Sequence, residues 1–319
     1  MSLIQAVTQS SGDLARWSIA PALLDESECL NYLKLRRYLL REGLVGRTIV
    51  EVDADWPGVM DTVDGMGGLS GLVGHRFEGI ERRGKQLILP LAKVDAEIPI
   101  TPALSSDGDR VQNERHIEGV LGLHMEMTGR LGIMDPEDES FRYRRLSLYL
   151  DDERRLELDD MRRWASVRLE KNAEVFTSGM GPDALDPGFT AAEFTERVSV
   201  RRSPIKSVLL DQKVLAGVGN IYADEALLIV GISPSRRADR ISATKLEALQ
   251  ETIAGVLENA LAFIESHPDE HGRPYVIDAQ DDRMQIPRKA GAPCPQCGSA
   301  LRAKKFGGRT AYYCPSCQH

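Results

Sequence analysis

Apolar positions along the chain fall into two regimes. Between residue 43 and about residue 169 they come as short runs interrupted by turns, at 48–52, 86–91, 120–125, 146–150 and 156–158. Runs of this length predict the strands of a β-sandwich or barrel. Ahead of them, leucines at 30, 33, 35, 39 and 40 within residues 26–42 predict an amphipathic helix lying on the sheet. A turn-rich stretch over residues 178–188 marks a boundary. Beyond it the spacing becomes helical, over residues 191–200, 204–215, 221–230 and 243–264, with Pro204 well placed at a helix start. Residues 266–287 carry neither period and read as a loop. Residues 301–309 read as a β-hairpin turning at Gly307-Gly308. The pattern therefore predicts an α+β, two-domain protein: an N-terminal β-sandwich with a flanking helix, then a helical domain that ends in a β-hairpin module. The expected segments are an extension over 1–26, the sandwich over 27–178, the helical domain over 179–287 and the terminal module over 288–319.

Composition narrows the function. The 319 residues carry 40 Lys+Arg against 48 Asp+Glu, a net charge of minus eight, so any polyanion-binding face must be local. No apolar stretch has membrane-spanning length, and residues 1–27 lack the basic start and continuous apolar core of a secretory signal, so a cytoplasmic protein is expected. Of five cysteines, four form two C-x-x-C knuckles, Cys294/Cys297 and Cys314/Cys317, sixteen residues apart. That is the spacing of a tetrahedral zinc site for one structural ion, and it leaves Cys29 single. From Arg288 to His319 there are six Lys or Arg and no acid, a charge of plus six, or about plus four with four thiolates on one zinc ion. Two readings fit: a purely structural zinc staple, or a basic hairpin that grips nucleic acid.

A second candidate lies between two predicted helices, at Ala216-Gly217-Val218-Gly219-Asn220-Ile221-Tyr222. Two glycines and an asparagine before a helix expose backbone N–H groups and the positive helix end, which suits a phosphate oxygen. An ordinary helix–turn–helix corner with a capping asparagine fits equally well. No G-x-x-x-x-G-K-[ST] run occurs, so a nucleotide-binding glycine loop is excluded.

Pro204-Ile205-Lys206-Ser207-Val208-Leu209-Leu210-Asp211-Gln212, the Gly217–Leu227 stretch and the four-cysteine finger together resemble the helix–two-turn–helix and zinc finger of the formamidopyrimidine-DNA glycosylase / endonuclease VIII family. Upstream, Ile80–Leu87, Leu123–Leu131 and Asp160-Met161-Arg162-Arg163-Trp164 fall in the order of that family's sandwich motifs. The resemblance implies a monomeric clamp that closes on damaged or abasic double-stranded DNA, everts a lesion nucleotide and cuts its glycosidic bond. It assigns Met127, Arg162 and Trp164 to filling the vacated stack, Trp164 replacing the family's phenylalanine. It assigns Lys206, Asn220 and Arg309 to phosphates around the lesion, and Lys85 and His124 to contacts from the sandwich side. For Trp164 and Met127 a place in the sandwich core is the competing reading.

The sequence also departs from that family. The family's nucleophile is the amine of an N-terminal proline followed by a catalytic glutamate. Here the aligned positions are Ser27 and Glu28, and an internal Ser27 offers only an amide, whose delocalised lone pair cannot form a Schiff base. Three routes restore an amine: proteolysis that exposes Ser27, an extension folded back to present Ser2, or Lys85 as nucleophile. Glu28 is the candidate proton donor, with an ordinary acidic first turn as its alternative. The Gly-Gly-Thr-Thr-rich base-closing loop is replaced by residues 263–272, rich in acids and histidines, and Gln285-Ile286-Pro287-Arg288-Lys289 replaces the residues usual before the finger. Two further functions stay open: a non-catalytic lesion or abasic-site binder that kept the clamp, and a topoisomerase-like or ribosome-associated zinc-ribbon protein.

Overall fold

A computed structural model describes residues 29–55, 60–62, 68–94, 118–126, 129–266 and 284–319. Ser27, Glu28, Met127, the extension 1–26 and the loop at 267–272 lie outside the described residues.

Among the described residues, helix α1 (Cys29–Arg41) leads into ten strands: β1 (Ile49–Ala54), β2 (Met60–Thr62), β3 (His75–Phe77), β4 (Glu81–Arg83), β5 (Gln86–Lys93), β6 (Gly119–His124), β7 (Arg130–Met134), β8 (Arg144–Leu150), β9 (Arg155–Asp159) and β10 (Ser166–Glu170). They form two sheets, ordered β1-β8-β9-β7 and β2-β10-β6-β5-β3, with β4 paired to β5. All pairings are antiparallel except β10 with β2.

Alternation decides which side chains meet between the sheets. Leu87, Leu89 and Leu91 of β5, Leu121 and Leu123 of β6, and Val167 and Leu169 of β10 share one core with Leu146, Leu148, Leu156 and Leu158 from the facing sheet. Ile88 and Val120 point the other way and are covered by Phe176 of the short helix α2 (Glu174–Thr177). Burial on both faces explains why residues 86–91 read as a continuous apolar run. Gly122 is required at this crossing, because a Cβ there would lie 2.2 Å from the Phe176 ring.

Helix α1 does more than cover a sheet. Tyr32, Leu35, Tyr38 and Leu39 enter the sandwich core, whereas Leu33 packs against the core of the helical domain and Arg37 forms an ion pair with Glu265 there. The helix thus lies on the sandwich, as expected, and also bridges the two domains. Leu40 is exposed.

The second domain contains α3 (Ala191–Ser199), α4 (Ile205–Leu210), α5 (Asn220–Val230) and α6 (Ala243–Ser266). Thr190 caps α3 by accepting from Glu193 N at 3.2 Å. Helix α4 stops five residues short of the expected end, because Asp211 turns the chain and its carboxylate accepts from Lys213 N at 3.0 Å. Helix α5 is buried from Asn220 to Leu228, with the α4 and α6 cores on one side and the terminal module on the other. It ends at Gly231, whose φ of 70° closes the helix and whose Cβ position lies 3.1 Å from Cys317 O. The terminal module is the hairpin β11 (Arg302–Phe306) and β12 (Arg309–Tyr313). Its two-residue turn, Gly307 and Gly308 at φ 54° and 85°, takes the left-handed conformations such a turn demands.

Candidate nucleic-acid interface and metal centre

The four thiols meet at the base of that hairpin. Their sulfurs lie within 4.8 Å of one another, with Cys294 and Cys317 Sγ 4.0 Å apart and Cys297 and Cys314 Sγ 3.5 Å apart. Tetrahedral zinc with Zn–S bonds of about 2.3 Å separates its sulfurs by about 3.8 Å, so the donor set fits one structural zinc ion. The thiols also compete for charge. Hydrogen bonding to Ser299 pulls Cys297 down to about 6, while its contact with Cys297 pushes Cys317 up to about 12. A divalent cation is what allows all four to ionise together. Leu228 and Ile286 pack with Cys294, Leu301 and Cys314, so the centre is docked on α5.

A cleft of about 400 Å³ opens where the sandwich, the helical domain and the hairpin meet. Its walls include Lys85, His124 and Glu126 from the sandwich, Ser207, Gln212 and Val218 around the two-turn corner, and Phe306 and Arg309 from the hairpin. Lys85, His124 and Arg309, separated widely in sequence, are thereby brought to one surface.

Each wall is fixed by its own elements. Lys85 sits in the tight turn between β4 and β5 beside Gly84, whose Cβ position is 3.4 Å from Ala216 Cβ. Asp183 clasps this turn: it accepts from Arg82 Nη2 at 2.7 Å, from Gly84 N at 2.9 Å and from Leu185 N at 3.0 Å. Arg83 adds a bond to Gly181 O at 3.0 Å. His124 ends β6, with Tyr32 of α1 5.9 Å from its ring, so the first turns of α1 lie beside the cleft. Its Nδ1 is 3.1 Å from Glu126 Oε1, and this hydrogen bond holds the Glu126 carboxyl below the usual carboxylate range, aided by the charges of His124 and Lys85. Glu126 adopts a φ of 50°, a rare conformation for a non-glycine residue. Sequence reasoning did not single out Glu126. Its signal was local, an acid two residues after the histidine.

Trp164 projects from the sandwich and is 50 % exposed, so it is not a core residue. The guanidinium of Arg162 lies 4.8 Å from its ring centroid. The loop that carries both is organised by the fully buried Asp160, which accepts from Arg162 N at 3.1 Å, Trp164 N at 2.6 Å and Ala165 N at 2.7 Å. Arg163, at φ 59°, absorbs the tight turn.

Lys206 and Asn220 depart from expectation. Both are fully buried. The Lys206 ammonium donates to the Asp224 carboxylate at 2.8 Å and to Asn220 O, and the Asn220 amide donates to Thr310 O at 3.1 Å. These two residues brace the corner and the hairpin from beneath, which corrects the reading that they reach phosphates directly. Arg309, by contrast, is exposed at the start of β12 on the cleft wall.

Comparisons with known proteins agree with this geometry. Residues 33–167 match the formamidopyrimidine-DNA glycosylase N-terminal domain, residues 180–268 its H2TH domain, and residues 291–319 the zinc finger found in FPG and IleRS. A formamidopyrimidine-DNA glycosylase of Chloroflexus aurantiacus is 32 % identical over 283 residues, 86 % of this chain and 91 % of the relative. One of Thermomicrobium roseum is 34 % identical over 264 residues, 76 % and 82 %. In fold, the chain superposes on the Lactococcus lactis Fpg from a complex with abasic-site DNA, with a TM-score of 0.72 at 23 % identity, covering 91 % of this chain and 99 % of that one. A chain that matches both domains and the finger, and relatives 32 % and 34 % identical over more than four-fifths of their length, belongs to the formamidopyrimidine-DNA glycosylase family.

Proposed function

We propose that this protein is a base-excision-repair DNA glycosylase that clamps damaged duplex DNA, everts the lesion nucleotide and cleaves its glycosidic bond. The observation that carries this reading is the three-walled cleft, which gathers Lys85, His124 and Arg309 on one surface. Arg309 meets a phosphate from the hairpin wall, and His124 adds a donor from the sandwich wall. Eversion costs a few kcal/mol of stacking and pairing, which an inserted wedge partly offsets. The exposed Trp164, with Arg162 stacked on it, supplies that wedge. Met127 joins it on the reading from resemblance.

The chemistry requires an amine that attacks the anomeric carbon and expels the base, and an acid that protonates the opening sugar. Lys85 presents an amine in the cleft. Glu28 is assigned as the acid by its match to the family's catalytic glutamate. Ser27 becomes the nucleophile where proteolysis exposes it. The single internal amide at Ser27 also favours a second reading, an abasic-site binder without turnover.

Borohydride trapping on abasic DNA separates these. The expected result is a covalent adduct that Lys85→Ala abolishes; an adduct that survives Lys85→Ala and maps to a new terminus assigns the amine to Ser27. No adduct, together with no base release over a panel of oxidised lesions, refutes the enzyme reading and leaves the binder. The zinc-ribbon alternatives predict no Trp164-dependent preference for damaged DNA.

A further inference from the structure

Arg288 stands in the short segment before the finger where the sequence departs from the family's usual residues, and it is nearly buried. Its guanidinium makes three contacts at once. Nη1 donates to Asp224 Oδ2 at 2.9 Å, Nη2 donates to Thr310 O at 3.1 Å, and the group lies 4.9 Å from the Tyr312 ring centroid. Asp224, on α5, is 1 % exposed and is itself saturated: it takes Lys206 on Oδ1, and Arg288 and Tyr312 N, at 3.1 Å, on Oδ2. Two cations and one anion thus share a buried site that joins α5 to β12. Only a planar fork reaches a carboxylate and a carbonyl while lying on an aromatic face; a lysine in that place has one point charge to give.

Position along β12 makes this more than a packing detail. Thr310, held by both Arg288 and Asn220 through its carbonyl, is the residue after Arg309. We infer that Arg288, acting with Asp224, is a positioning residue that locks the zinc hairpin onto α5 and so delivers Arg309 to the cleft. The zinc ion holds the knuckles together, but the knuckles are at the opposite end of the hairpin from its turn. A second fastening is needed to fix where that turn points, and the Arg288–Asp224 pair is placed to be it. For its effect on binding the inference rests on Arg309 as a DNA contact; the fastening itself does not.

The test uses the full-length, zinc-loaded protein and the variant Arg288→Met. Zinc content should remain one ion per chain, while amide hydrogen exchange across residues 302–313 quickens by about tenfold or more. Affinity for an abasic duplex should fall by about tenfold, but by less than about twofold when Arg309 is already alanine, since the two act in one chain of contacts. Arg288→Lys, which keeps the charge on Asp224 but not the fork, should exchange at an intermediate rate. Unchanged exchange in Arg288→Met, or affinity losses that simply add, overturns the inference. Should the methionine variant lose zinc, Arg288→Lys decides: wild-type exchange in it overturns the inference and quickened exchange supports it. Arg309→Ala alone with undiminished affinity removes the phosphate role of Arg309, and the exchange measurement, made without DNA, then decides Arg288 by itself.

Discussion

Removing the carboxylate of Asp160 tests whether the wedge is presented by a built loop or by chance exposure. Asp160→Ala deletes at least three hydrogen bonds, two of them from Trp164 N and Ala165 N at 2.6 and 2.7 Å. A bond to a charged acceptor contributes about 1.5–3 kcal/mol, but the Arg162 and Trp164 amides are only part-buried and regain water once freed, so the full sum is not lost. Relaxation of Arg163 from its left-handed conformation returns about 1 kcal/mol. The net destabilisation should be about 2–3 kcal/mol, read from urea unfolding. Asp160→Asn keeps one acceptor oxygen for the Trp164 and Ala165 amides and turns a donor toward Arg162 N, so its cost should be about half as large. The functional effect is separate. Stacking of one aromatic side chain on bases is worth about 1–3 kcal/mol, so a mispresented Trp164 should lower the preference for an abasic over an intact duplex by about tenfold. Fluorescence anisotropy with both duplexes measures that ratio, and Trp164→Ala supplies the reference for complete loss. If Asp160→Ala retains the full preference while Trp164→Ala abolishes it, the capped loop is not what presents the wedge.

Three other outcomes follow from the same geometry. Chelating zinc should unfold the finger, since structural zinc contributes on the order of 10 kcal/mol in such modules, and DNA binding should go with it; affinity that survives complete zinc removal contradicts the role given to the hairpin. Arg309→Ala should reduce the log–log salt slope of DNA affinity by about one, whereas Lys206→Met should leave the slope alone and cost about 1–3 kcal/mol of folding stability, since Asp224 loses one cation but keeps Arg288 and Tyr312 N; a slope change in the lysine variant would restore it to the phosphate contacts. Glu126→Gln removes a negative charge from the cleft wall but keeps an oxygen for His124, so DNA affinity at pH 7 should rise by a few-fold, about 0.5–1 kcal/mol; a loss would mean that the charge itself orients His124.

Local features were legible in the sequence, and features created by docking were not. The zinc knuckles and the Gly307-Gly308 turn depend on spacing and on conformations that only a few residues adopt, so they read directly. The run at 86–91 announced itself because β5 is buried on both faces. Strands β2, β3 and β4 are three residues each, too short to show a period, and β7 carries a glycine and flanking charges that mask it. The leucine count placed α1 on a sheet, while its tyrosines carry much of the contact: Tyr32 OH accepts from Met125 N at 2.7 Å and Tyr38 OH from Ile133 N at 3.0 Å. For Lys206 and Asn220, type and position pointed to phosphate, but burial is decided by how the hairpin lands on α5. The sequence left Trp164 open between core and wedge, and its exposure on the loop that Asp160 holds excludes the core and leaves the wedge as the role proposed for it.

The side chains proposed to meet DNA share a mode of mounting. Asp160, Asp183 and Asp224 are each buried, and each takes three donors. One organises the wedge loop, one ties the sandwich to the linker, and one ties α5 to the hairpin. Trp164 is bonded to the first through its own amide, Lys85 follows a glycine bonded to the second, and Arg309 precedes a threonine whose carbonyl is held by an arginine on the third. A chain of net charge minus eight spends these carboxylates internally, against backbone amides and cations, so their charge is neutralised where it would otherwise repel phosphate. The same arrangement leaves long, charged side chains little backbone freedom to lose on binding. Lys85 stands apart from the other two, because the turn that Asp183 fastens also carries the amine proposed to attack the sugar. Trp164 and Arg309 belong to the grip alone, so a variant that loses either is expected to keep adduct formation on abasic DNA at saturating protein.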